Sequence, residues 1–300
     1  MRVIITGLPL FGKYLAKGLT KVDKENSYKF YNTYYSKKDK IRFFIAVLFA
    51  DIVVSCKGVS EKSKALDWAL FLKKKILMQW QGTDVLEAIN RSRSNSINNK
   101  YIVKSTHVTD ATWLQEELSS ININADLLDY KCLKIPVSIN REKQKSVLSY
   151  VGKNNEQFYG VKSLVSLAKD NPSIHFDVVG TDGKNCEIQP NILYHGWVSK
   201  NKLNELMDKA KLVLRLTEHD GNSLNVMEAL LNGNEVIWTC PHSLVNYYDG
   251  NNLQGLFTEV LNKEWDESRY QNAVEYFRKK HDKKKVLNTF VDKLKDLGHQ

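Results

Sequence analysis

Two carboxylates, Asp220 and Glu228, stand eight residues apart in TEHDGNSLNVMEALLNGNEVIW (217–238), separated by a Gly-Asn-Ser turn and an apolar helical stripe. Ser223 suits an N-cap, Leu224, Met227 and Leu231 make the stripe, and Gly233 suits the C′ position, so a helix is expected over about 224–232. Its N-terminal amides and dipole would face the preceding loop as an anion site, and Gly221 lets backbone come close. Asp220 would stand at the edge of that site, within reach of sugar hydroxyls. Glu228, roughly 6 to 9 Å further along the helix, could accept two hydrogen bonds from a ribose diol. An acid, a phosphate site and a second acid together match the outline of a sugar nucleotide. Taken alone, each acid would read as an ordinary helix carboxylate.

The elements that must hold this stretch follow from hydrophobic periodicity. RVIITG (2–7), YKFYNTYY (28–35), ADIVVSCKG (50–58), KILMQWQG (75–82) and YIVKST (101–106) read as strands, with helical patterns such as SEKSKALDWALFLKKK between them. A stretch centred on Pro136 interrupts the rhythm. Strands then resume with VLSYVG (147–152), IHFDVVG (174–180), NILYHG (191–196), KLVLRL (211–216) and NEVIW (234–238). This alternation predicts α/β architecture with two parallel sheets covered by helices, and a domain boundary near 138. RSRSNSINNK (91–100) is expected to be a polar loop, and FFIAVLFADIVVS (43–55) a buried helix running into a strand. Residues 282–297 predict an amphipathic helix packed on a domain, able to return to the first one.

Composition narrows the function classes. The 300 residues contain four scattered cysteines with no Cys-x-x-Cys pair, as expected of reduced thiols in a cytoplasmic protein. The N-terminus lacks the layout of a signal peptide, and no apolar run reaches the 18 or so residues a membrane span needs. Nearly all of the net +10 charge lies before residue 139, with 22 Lys and Arg against 13 Asp and Glu. Such an excess suits an anionic membrane surface or a phosphorylated acceptor, although solvated lysine-rich helix faces would give the same count. No nucleic-acid-binding pattern accompanies it, so no nucleic-acid partner is expected.

The 217–238 stretch resembles the E-x7-E region of retaining glycosyltransferases of family 4, where a segment such as E-G-F-G-L-P-x-L-E-A precedes a small-residue helix, a glycine and a strand. Asp220 matches the first acid, Gly221 and Ser223 the two glycines, then Leu224, with Glu228 and Ala229 as the closing pair. ILYHGWVSKNKLNELMDKAKLVLRL and FDVVGTDG resemble blocks upstream of that region, and the likeness covers most of 147–238. It implies two Rossmann-like parallel-sheet domains facing a cleft (GT-B): an acceptor-binding domain over 1–138 and a nucleotide-sugar-binding domain over 139–300. The implied reaction moves a sugar from a nucleotide diphosphate to a hydroxyl with retention, in glycan or polysaccharide synthesis. The acceptor would be a glycan, lipid-linked or phosphorylated molecule, and the protein would be cytoplasmic with peripheral contact at an anionic membrane face.

The resemblance also implies site residues. Asp220 would act at the reaction centre. Lys153, Arg215, His219, Gly221, Asn222, Ser223, Leu224 and Glu228 would hold the donor, with Gly180 and Gly196 near its base. The family carries an arginine and, several residues on, a lysine for the diphosphate; here Lys153 stands for the first and Tyr159 at the second, so one cation is missing from its usual place. Arg215 or His219 could supply that charge, or strand alternation could turn Arg215 away. His107 and Asp84 are candidates on the acceptor side, although a histidine at a strand end is as often a core residue. Gly7, Gly12, Lys13, Trp80 and Gly82 fall in acceptor-side loops at strand ends. With no Asp-x-Asp pair in the chain, neither a metal nor a cofactor is expected. A competing pattern is the P-loop-like GLPLFGKY (7–14), with Asp51 as a Walker B acid, though Tyr14 stands where a magnesium-binding hydroxyl belongs. A catalytically degenerate partner subunit of the same fold is a further alternative.

Overall fold

The computed structural model describes residues 1–299, which divide into two compact units: Met1–Cys132 with the chain from Lys280 onward, and Leu133–Lys279. In the first unit, strands β1 (Arg2–Gly7), β2 (Ser27–Phe30), β3 (Ile52–Cys56), β4 (Lys75–Trp80), β5 (Thr106–Thr109) and β6 (Ala125–Leu127) form an all-parallel sheet ordered β2-β1-β3-β4-β5-β6. Between them run α1 (Pro9–Val22), α2 (Lys37–Leu48), α3 (Lys64–Phe71), α4 (Thr83–Arg93), α5 (Asn99–Val103) and α6 (Thr112–Ser120). Val53 and Val54 are both fully buried, as expected of a parallel strand covered on both faces.

The second unit pairs β7 (Gln144–Tyr150), β8 (His175–Val179), β9 (Ile192–Tyr194), β10 (Ala210–Arg215), β11 (Glu235–Trp238) and β12 (Asn246–Tyr247) in the order β12-β11-β10-β7-β8-β9, again all parallel. Helices α7 (Val161–Asp170), α8 (Lys200–Lys209), α9 (Leu224–Leu231), α10 (Leu253–Asn262) and α11 (Glu267–Lys280) connect and cover these strands. Within the unit this is the doubly wound Rossmann order, and its direction reverses between β7 and β10. The loops leaving those two strands therefore flank the crevice where such sheets bind ligands.

A last helix, α12 (Lys283–His299), belongs to the first unit. Leu287, Phe290, Val291, Leu294 and Leu297 join Val3, Ile5, Leu15 and Leu19 in one core. Gly18 of α1 permits the contact, since a Cβ there would lie 2.9 Å from Leu287 Cδ2. The Lys75 ammonium donates to the Gly298 carbonyl at 2.7 Å, fixing the far end of α12 on the sheet.

Several expected boundaries differ in the structure. YIVKST is helical up to Val103, because Asn98 caps the amide of Lys100 and Tyr101 is fully buried with its hydroxyl accepting from the Ser63 amide and donating to Asp67; the strand begins only at Thr106. Strand β2 stops at Phe30, and the polar 91–100 stretch contributes the last turn of α4 and the first residues of α5. Only Phe43 and Val47 are buried in α2, which was expected to be a buried helix. Gly12 and Lys13 are helical rather than part of a loop, because Pro9 opens α1 directly after Leu8, and Gly12 packs on Phe30 with a virtual Cβ 2.3 Å from its ring. The phosphate-wrapping turn that a P-loop requires does not form between β1 and α1.

Replacing Phe290 by Ala is expected to destabilise the first unit by about 3 to 5 kcal/mol, measured by urea unfolding, because the ring is fully buried between α12 and the sheet.

Candidate functional site

In the second unit the loops after β7 and β10 are tied together. The Glu218 amide donates to the Phe158 carbonyl at 2.9 Å. Gly160, at φ +71°, comes so close to the other loop that a Cβ would sit 2.3 Å from the Leu216 carbonyl oxygen, so only glycine fits there. This brings Tyr159, with Tyr150 from the strand end, over the side chain of Arg215. The guanidinium carbon lies 5.1 Å from the Tyr159 ring centre and 5.4 Å from that of Tyr150.

Arg215 is 8% exposed. Its Nε donates to Asp220 Oδ2 at 2.7 Å, and the other carboxylate oxygen accepts from the Gly221 amide at 3.0 Å. Burial alone would lower the arginine's pKa, but the Asp220 carboxylate and the tyrosines raise it, so the group is charged. Its Nη1 is buried with no hydrogen-bond partner among the described residues. A charged donor in that state is costly, and an anion is the natural partner for it.

Gly221, Asn222 and Ser223 are buried and lead into α9. Ser223 takes the N-cap position, yet its hydroxyl makes no cap hydrogen bond, leaving the anion-attracting end of the helix without that side-chain acceptor; Leu224 is its first residue. Glu228 lies on α9, 31% exposed, with Lys200 Nζ 2.6 Å away. Gly180 and Gly196 are joined by an amide-to-carbonyl hydrogen bond of 2.7 Å, and both adopt positive φ. Lys153 pairs with Asp182 at 3.1 Å, which holds the Asp182 carboxyl below its usual range, and the Thr217 hydroxyl fixes the carbonyl of His219 at 3.1 Å.

The first-unit candidates take inward roles. His107 is 6% exposed. Its Nδ1 accepts from Trp80 Nε1 at 3.2 Å and its Nε2 lies 2.8 Å from the Ile102 carbonyl, so both nitrogens are engaged and the proton sits on Nε2. Burial lowers its pKa, which keeps the ring neutral. Asp84 is buried and accepts from the amides of Gly58, Gln81, Gly82 and Val85, an N-terminal clasp on α4. Burial raises its pKa against the pull of those amides. Trp80 is fully buried against Gly58, Gly82 caps α4 at φ 146°, and Gly7, at φ +107°, lies against the Cys56 backbone. Lys13 stands exposed on α1. Sequence reasoning missed Tyr150, Gly160 and Lys200. Only the Tyr-Gly pair at 159–160, directly before a helix, hinted at the close loop crossing.

No protein-family model matches the chain, and no curated protein sequence matches it. Among solved structures it is similar to sucrose-phosphate synthase from Thermosynechococcus elongatus, with TM-score 0.70 and 10% identity over 99% of each chain. AviGT4, a glycosyltransferase involved in avilamycin A biosynthesis, gives TM-score 0.61 and 11% identity, covering 100% of this chain and 98% of that one. Staphylococcus aureus TarM, a mutant in complex with Fondaparinux, alpha-GlcNAc-glycerol and UDP, gives TM-score 0.56 and 11% identity over 86% of this chain. There the match spans only 59% of the larger protein. The fold is thus the two-domain GT-B fold, each domain Rossmann-like.

With neutral His107 held below its unfolded pKa, the unfolded chain binds the extra proton as pH falls. Its contribution to stability should therefore decline below about pH 6.5, by at most about 1.4 kcal/mol per pH unit, and His107→Gln should flatten that part of a denaturation-versus-pH curve.

Proposed function

We propose that the protein is a glycosyltransferase that moves a sugar from a nucleoside diphosphate to an acceptor hydroxyl, held at the β7–β10 crevice of the second unit. The carrying observation is the buried Arg215, with one N–H group left without an acceptor beside the N-terminus of α9. Where family 4 enzymes have a lysine, this chain has Tyr159, and the positive charge comes instead from Arg215, packed on that tyrosine. The diphosphate would be held by Arg215, the Gly221–Leu224 turn and Lys153, with His219 and Asn222 lining the loop. Glu228 would take the ribose hydroxyls once Lys200 swings aside, an exposed pair that costs little to open. Gly180 and Gly196 would leave room for the base.

The work done on the reaction is electrostatic. The bond between the anomeric carbon and the diphosphate oxygen breaks, the acceptor oxygen takes its place on the same face of the sugar and passes its proton to the departing diphosphate, and the remaining charge is met by cations already in position. Asp220 holds Arg215 in that position, so its effect on catalysis runs through the arginine as well as through any contact with the sugar. His107 lies near the start of β5 rather than in a loop at a strand's carboxyl end, and with its fixed tautomer it ties that strand to Trp80 of β4 and the Ile102 carbonyl rather than serving as a free base, while Asp84 shapes the 81–85 turn. The acceptor class that fits the basic first unit is a glycan, phosphorylated or lipid-linked molecule.

The test is a thermal-shift screen of UDP-, GDP-, ADP- and CDP-sugars without added metal, run beside ATP with magnesium. One sugar nucleotide is expected to raise the melting temperature, equivalent to about 2.7 kcal/mol at a hundredfold excess over Kd. Glu228→Gln should remove that rise while leaving the free protein's melting within about 1 kcal/mol of wild type. A rise that persists in Glu228→Gln would sink the ribose assignment. A rise with ATP and magnesium alone, lost in Lys13→Ala, would transfer the activity to the first unit. Binding without sugar transfer to any acceptor would point to a degenerate partner subunit.

A further inference from the structure

Helix α2 is apolar on two opposite sides. Phe43 and Val47 face the core of the first unit and are fully buried. At 100° per residue, Ile41, Ile45 and Leu48, with Phe49 at the C-cap, fall on the far side, where they are 64, 56, 45 and 62% exposed. Phe71 at the end of the neighbouring α3 is 75% exposed, with its ring stacked on Trp68, whose indole donates to the Phe44 carbonyl of α2. A stripe of this kind opposite a core face brings nothing to the fold, and single-chain soluble proteins seldom leave so much large apolar side chain together in water.

Its surroundings are cationic. Lys37 and Lys38 occupy the first turn of α2 on the same side as the stripe. The stripe continues into a groove of about 580 Å³ between α2 and the edge strand β2, where Ile45 and Phe49 meet Arg2, Lys29 and Arg42. Of the nearby carboxylates, Asp51 accepts from the Arg2 amide at 2.7 Å, while Asp39 accepts from the Asn32 amide at 3.2 Å and also lies 3.8 Å from Arg42 in a loose ion pair, so the charge bordering the stripe comes chiefly from Lys37, Lys38 and Lys29. Among the described residues no helix is long and apolar enough to cross a membrane.

We propose that this face of α2 is a docking surface for an anionic lipid bilayer, its apolar stripe entering the headgroup–acyl boundary while the flanking lysines and arginines meet lipid phosphates. The pattern favours a bilayer over a protein partner. Long flexible cations border an aliphatic and aromatic stripe that presents no fixed hydrogen-bonding group of its own, which complements a fluid sheet of phosphates better than a structured surface. The inference does not rest on the sugar-nucleotide reading.

The experiment is vesicle flotation of the whole protein, with phosphatidylcholine vesicles beside an equal mixture with phosphatidylglycerol, over a salt series. Expected is binding to the anionic vesicles alone, weakened about tenfold by Ile45→Ser/Phe49→Ser and by Lys37→Gln/Lys38→Gln, with only the lysine variant also flattening the salt dependence. Because all four side chains are exposed, melting curves should confirm that the variants fold. No flotation, equal flotation with neutral vesicles, or undiminished flotation of the Ile45/Phe49 variant would overturn the proposal. So would a concentration-dependent dimer in light scattering that the same variant dissolves, since the stripe would then belong to a second copy of the chain.

Discussion

A guanidinium taken out of water must be surrounded by groups that accept its charge, and in the second unit that demand organises the whole carboxyl edge of the sheet. Arg215 ends β10, the strand beside the reversal of strand order, and the Asp220 carboxylate supplies its counter-charge from only five residues on. Tyr150 and Tyr159 offer ring faces from the neighbouring strand and its loop. Removing the Asp220 carboxylate would leave the Arg215 charge buried without its counter-ion, at a cost of about 3 to 5 kcal/mol. The short loop between Arg215 and α9 is therefore closed on itself by an ion pair, and the direction of the α9 N-terminus follows from it. Phe158 and Gly160 then bring the loop after β7 against it through one hydrogen bond and one close backbone contact.

Much of this was legible in the chain. Runs such as RVIITG and KLVLRL are too rich in branched apolar residues to be read as anything but covered strands, and each begins or ends a strand within a residue or two of the expected place. The helix after Ser223 was visible from its stripe and from Gly233, which adopts φ +74°. What periodicity could not give was the direction of individual polar side chains. Whether Arg215 faced a ligand or the core depended on Asp220 folding back to meet it, a contact set by the loop and not by strand alternation. His107 and Asp84 had the right chemistry at strand ends, but Trp80 Nε1 and four backbone amides claimed them first. YIVKST has the composition of a strand, and its first half is helical because of the local Asn98 cap together with the long-range anchoring of the buried Tyr101 hydroxyl on Ser63 and Asp67.

Helix α2 illustrates another limit of pattern reading. FFIAVLF is apolar nearly throughout, and such a run suggests complete burial. The sheet can cover only one side of it. The side left over is not random in its neighbours, since the cations of its first turn and of the adjoining groove lie along its borders.

The return of α12 to the first unit has a consequence for how the chain assembles. All of the second unit lies in sequence between Cys132 and Lys280, so on a ribosome the second unit emerges complete while the first still lacks the helix that covers Val3, Ile5 and Leu15. Until α12 arrives, the part of this sheet face that α1 leaves uncovered stays open to solvent. The Lys75–Gly298 contact spans 223 residues, and bridging such a separation adds a loop-closure cost that local helices do not bear. Of the two units, the one translated earlier is thus the last to close, and in the interval the part of its sheet awaiting α12 is where a chaperone would act and where aggregation would begin.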